Sequence, residues 1–236
     1  MATTSGSYDI STSRDGIIAR ALRIVGAIGQ GETPSATAIT ESSEALNDLV
    51  KEWESDGMPL WAISTWIIPL VTNVVQYSIA NGPLKVIQAW GRNSDSNTDS
   101  PLVRITRMQY QMLGSKASTG TPSQLWYDPP GNSTKAGTAT IFTAPDSNAA
   151  SNVTIYLAGQ KPFEDFDAAT DVPDCPSYWF NALKWGLADQ LSYEYGIGLS
   201  ERAMISKKAD LHKYNALSFG TEEGSLLLQP TPKFTT

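Results

Sequence analysis

The feature that most constrains this chain is a pair of helical segments in its first sixty residues whose apolar stripes have no partner nearby in sequence. Ile17, Ile18, Ala21, Leu22, Val25 and Ile28 recur at helical spacing, as do Ile39, Leu46, Leu49, Val50 and Trp53. The spacing predicts a first helix from about Arg14 to Ile28, stopped by Gly29 and Gly31. It predicts a second that starts at Thr33-Pro34, a cap followed by proline in the first turn, and stops at Gly57. Two helices so close in sequence form an antiparallel hairpin, and that hairpin needs further apolar surface to cover it. Such surface returns only after Asp171-Val-Pro-Asp-Cys-Pro176. There Ser177 to Tyr195 places Trp179, Leu183, Leu187 and Leu191 on one side, broadened by Tyr178, Ala182, Trp185 and Ala188. Gly196 and Gly198 end that helix, and Ser200-Glu201 restart another that runs to Phe219-Gly220.

Between the two helical parts the pattern shortens to strands divided by turn residues. The expected strands are Ala62 to Val71, Val74 to Ile79, Leu84 to Trp90, Gln124 to Asp128, Thr138 to Phe142 and Val153 to Leu157. A short helix is expected at Thr106 to Leu113, and Arg92 to Ser100 reads as a projecting polar loop. The fold class is therefore α+β: an antiparallel helical bundle built from the N- and C-terminal helices, with an inserted antiparallel β-sandwich or small barrel. The expected divisions are 1–62 for the N-terminal arm and hairpin, 63–171 for the β domain, 172–220 for the closing helical pair and 221–236 for an extended arm. That arm carries Leu226, Leu227, Leu228, Gln229 and Pro230, and three adjacent leucines in so short a tail point to docking on a partner.

At 236 residues and 41% hydrophobic, the chain is expected to be a soluble globular protein without a secretory leader, and no apolar run approaches a membrane span. Its single cysteine, Cys175, excludes an internal disulfide. The formal charge of −7 is concentrated on the second helix, where Glu41, Glu44, Asp48 and Glu52 recur. Such a run reads as a solvated face, or as a surface past which DNA slides without adhering, since tight nucleic-acid binding calls for a basic patch.

A search for chemistry returns little. His212 is the only histidine and stands on a lysine-rich helix, and no phosphate loop, dinucleotide fingerprint, zinc-protease motif or nucleophile elbow is present. The acidic group Glu164-Asp-Phe-Asp167 with Asp171 reads either as a solvated linker or as a calcium or acid-base site. Trp61, Trp66, Trp90 and Trp126 read as core or as a sugar-binding face. No cofactor, metal site or catalytic residue is expected.

Taken together, Ala21-Leu-Arg-Ile-Val-Gly26, the Gly-Glu-Thr-Pro-Ser35 turn, Ala45-Leu-Asn-Asp-Leu49 with Trp53 and Asp56-Gly57, Trp179-Phe-Asn-Ala-Leu-Lys-Trp-Gly-Leu-Ala-Asp-Gln-Leu191 and Tyr193-Glu-Tyr-Gly196 resemble the head-to-tail adaptor proteins of short-tailed bacteriophages, also called tail tubular or tail accessory proteins. The resemblance covers both helical ends, about half the chain. It implies a structural virion protein, not an enzyme, assembled in the host cytoplasm into a homo-oligomeric ring, commonly of twelve, between the portal protein and the tail nozzle or needle. Tail fibres are a further expected contact, and DNA passes through the ring without sequence-specific binding. It places portal contacts on the C-terminal helix and tail, here Tyr214, Phe219 and Leu226 to Pro230. A ring also needs subunit contacts, expected at Tyr178, Trp179, Trp185 and Tyr193, and a channel lining, expected at Glu41, Glu44, Asp48 and Glu52. Two rival readings are a β-sandwich tail component that binds receptors or glycans, and a hydrolase using Glu164 and Asp167.

Overall fold

The computed structural model describes Gly6 and residues 10–56, 60–131 and 135–220. The fold is mixed α+β with antiparallel sheets. Helix α1 (Arg14–Val25) opens it, with the Ser13 hydroxyl accepting from the Gly16 N–H at 3.2 Å. It ends earlier than the apolar spacing indicates. Gly26 takes the left-handed conformation at φ 78° and its N–H returns to the carbonyls of Leu22 and Arg23, so the chain has already turned before Gly29. Helix α2 (Ala36–Asp56) starts one residue after Ser35, whose hydroxyl accepts from the Ala38 N–H; the cap is thus Ser35 and not Thr33. The expected stop at Gly57 lies outside the described residues.

The strands follow as β1 (Ile63–Pro69), β2 (Gln76–Ala80), β3 (Lys85–Asn93), β4 (Thr98–Pro101) and β5 (Val103–Arg104), with helix α3 (Arg107–Met112) next. Then come β6 (Thr119–Gly120), β7 (Gln124–Asp128), β8 (Ala136–Phe142), β9 (Ala144–Pro145), helix α4 (Ser147–Asn152) and β10 (Val153–Gln160). One four-stranded sheet has the order β1-β10-β3-β4; a second has β2-β8-β7-β5, antiparallel except where β5 meets β7; β6 and β9 form a small parallel pair. Ile68, Val86, Ala89, Ile155 and Leu157 from the first sheet share one apolar core with Ile79, Leu125, Ala139 and Ile141 from the second.

The segment expected as a projecting loop at Arg92 to Ser100 is instead a hairpin in which β4 pairs with β3, closed by a bidentate ion pair of Arg92 with Asp99. Helix α3 has the expected threonine cap, and it is a full capping box: Thr106 and Gln109 each accept the other's backbone N–H. Within β10 the register shifts at Ala158/Gly159, and a Cβ on Gly159 would lie 2.6 Å from the Lys85 carbonyl, so the close approach of β3 admits only glycine. Tyr127 donates to the Pro83 carbonyl at 2.7 Å, and burial, with Asp128 adjacent, pushes its phenol up to about 12.

A short 3-10 turn (Ser177–Trp179) leads into helix α5 (Phe180–Glu194), and α6 (Leu199–Phe219) closes the described chain. Helix α5 buries Ala182, Leu183, Gly186, Leu187, Ala188, Leu191 and Ser192, which lie all around its circumference, because it packs on α1, α2 and α6 at once. The breadth of its apolar surface is therefore used within the chain. Trp61, expected in the β region, belongs to this helical core, stacked on Phe163 at 4.8 Å.

Candidate functional site

Residues 161–176 lie across α2 and are held there by side chains one helical turn apart. Asn47 donates to the Phe166 carbonyl at 3.2 Å and accepts from the Phe166 N–H at 2.8 Å; Lys51 donates to the Phe163 carbonyl at 2.6 Å; Glu54 accepts from the Phe163 N–H. From the other side, the Arg14 guanidinium and backbone N–H reach the carbonyls of Asp167 and Asp171. Two carboxylates of the acidic cluster take part. Asp165 pairs with Lys51 at 2.8 Å, and Asp171 accepts from the N–H groups of Asp167 and Ala168 as a turn cap. These carboxylates hold a strap in place, and no metal-ligand group of three occurs among the described residues. Cys175, near the end of that strap, packs against the helical core, and its thiol is pushed up to about 12 by burial and by Asp174, which leaves little thiolate for nucleophilic work.

The exposed apolar surface lies elsewhere. Among the described residues, eight of the sixteen exposed large hydrophobic side chains fall between Tyr178 and Phe219, so the C-terminal helices hold a disproportionate share. Along α6, Ile205, Ala209 and Ala216 face inward, while Met204, Leu211 and Tyr214 point outward on the opposite side. Phe219, 76% exposed, meets Tyr178 edge-on at 4.9 Å. Tyr193 is also exposed and lies under the Arg202 guanidinium at 3.9 Å.

Of the residues expected at a subunit contact, Tyr178 and Tyr193 are on the surface, and Trp185 is half-buried against His212 and Lys208 of α6. Trp179 is not at the surface. It is 4% exposed, packed on Trp53 and Trp61, because the 3-10 turn before α5 rotates it inward; it is a core residue. Tyr214 and Phe219 are largely exposed, whereas Leu226, Leu227, Leu228, Gln229 and Pro230 lie outside the described residues. Glu41, Glu44, Asp48 and Glu52 share one exposed face of α2. Trp66 is half-buried against the β core and donates to the Asn81 carbonyl; Trp126 packs beside Tyr110 and Arg107. Among the described helices none is long and apolar enough to cross a membrane.

No protein-family model matches the chain, and no curated protein matches it significantly.

Proposed function

We propose that this chain is a structural virion protein, a head-to-tail adaptor whose copies form a ring joining the portal protein to the tail nozzle or needle and continuing the DNA channel. In this reading α1, α2, α5 and α6 make an antiparallel bundle that carries the two sheets as an inserted β-sandwich. One observation carries it: Met204, Leu211, Tyr214 and Phe219 of α6 are all exposed, apolar surface that the described fold does not cover, on the helix that the leucine-bearing segment follows in sequence. A subunit whose own core is filled by α5 does not need that surface for its own folding, but a repeating assembly does. The resemblance of both helical ends to phage adaptors supports the same reading.

Removal of residues 221–236 tests it. The truncated protein is expected to keep its helical content and thermal midpoint while losing at least tenfold in affinity for the portal ring. Unchanged attachment would contradict the reading.

A second reading, a receptor- or glycan-binding tail component, is favoured by the outer face of the first sheet. Ile67, Tyr156, Trp90 and Pro101 form one cross-strand row, and the Trp90 and Tyr156 rings are within 8° of parallel. Flat aromatic pairs of this kind stack on sugar faces as well as on protein.

A further inference from the structure

We propose that copies of this chain meet through two charge-matched surfaces, the acidic stripe of α2 on one copy against Arg20, Arg23 and Lys184 of the next. The proposal rests on the ring reading and names its contact.

Glu41, Glu44, Asp48 and Glu52 are spaced so that all four lie across α2 from the buried Ser42, Leu46, Leu49, Val50 and Trp53. The stripe is about 16 Å long at the helical rise. None of the four has an ion-pair partner among the described residues, although the same helix pairs Glu54 with Lys51 and Asp56 with Lys213. The opposite charge is also left over. Arg20 and Arg23 project from α1 on the side away from Ile17, Ile18, Ala21, Leu22 and Val25, and both are exposed. Lys184 of α5 is half-buried where the Arg20 charge acts on it, and burial together with that repulsion disfavours its ammonium form. None of the three is ion-paired among the described residues, which is also true of several cations elsewhere, such as Arg107, Arg202 and Lys207.

Two cations brought together without an anion are a standing cost, and a carboxylate supplied from outside removes it. The molecule carries a matching row of carboxylates on a different helix. Because α1 and α2 bury their inner faces in one core, their outer faces point in different directions, as a head-to-tail contact between identical subunits requires. A phosphate backbone is the other anion of suitable chemistry, but the charge of −7 works against a polyanion approaching this chain.

The test uses the full chain with its portal ring and measures assembly mass, with thermal unfolding as the folding control. Glu44→Lys with Asp48→Lys in one variant, and Arg20→Glu with Arg23→Glu in another, are each expected to fold normally and to raise the concentration needed for ring formation at least tenfold. Mixed in equal amounts they are expected to assemble again, since each variant then offers its neighbour the opposite charge on both sides. If the native protein forms rings and both variants form them equally well, the contact is elsewhere and the ring reading survives. If the lysine variant forms rings that retain duplex DNA, the acidic stripe faces the channel and the proposal is overturned. If the native protein never assembles, the ring reading falls and takes this contact with it.

Discussion

Leu187→Ala is expected to lower the free energy of unfolding by about 2–5 kcal/mol, the range for truncating a leucine in a core that cannot fully collapse. Leu187 has no exposed surface and sits midway along α5, the helix against which α1, α2 and α6 all pack. Truncation there opens a void shared by several elements, and rigid helices move little to close it. In urea, the midpoint should fall with the slope unchanged, whereas Tyr214→Ala, at a side chain 70% exposed, should change stability by less than about 0.5 kcal/mol. A Leu187→Ala loss below about 1 kcal/mol would mean that α5 is not the centre of the helical core.

Asn47→Ala is expected to cost about 2–4 kcal/mol, because it takes a donor and an acceptor from the same residue of the strap and leaves both backbone groups of Phe166 short of a partner. The loss should be local in its first effect. Amide exchange at Phe163 and Phe166 should quicken at least tenfold before exchange in α5 changes, since local opening of the strap needs less energy than global unfolding. Equal acceleration throughout would show that strap and helices unfold only together.

The helices were legible in the sequence because an apolar stripe of period 3.6 survives whatever the rest of the chain does, and their ends were less so. Gly26 stops α1 by adopting a left-handed conformation, yet Gly26, Gly29 and Gly31 look alike in a sequence, and only backbone geometry shows which one turns the chain. Strand β4 was hidden for a different reason. Thr98 to Pro101 is exposed throughout and holds no large apolar residue, so it has no alternation to detect, and its place at the sheet edge is set by pairing with β3. Trp179 fits a helix stripe and an interface equally well on paper; the 3-10 turn decides that it faces Trp53 and Trp61.

The surface chemistry was legible by halves. The acids of α2 are neighbours in sequence and announce themselves, but Lys184 is far in sequence from Arg20, and only the packing of α5 on α1 brings the two cations together. The acidic strap reads on paper either as a solvated linker or as a calcium or acid-base site, and nothing in its sequence shows that Asn47, Lys51 and Arg14 arrive from distant positions to hold it. The broad apolar face of α5 suits the centre of a bundle or an interface equally well on paper, and the structure spends it on three neighbouring helices, leaving exposed apolar side chains on α6.

The most direct measurement of the central proposal is the mass of the purified protein in solution, alone and mixed with the portal ring that the adaptor reading requires. The adaptor reading predicts a closed assembly of many copies, formed alone or on the portal, with the α6 face and Tyr178 protected from solvent exchange in it. A monomer that stays monomeric and ignores the portal would contradict it.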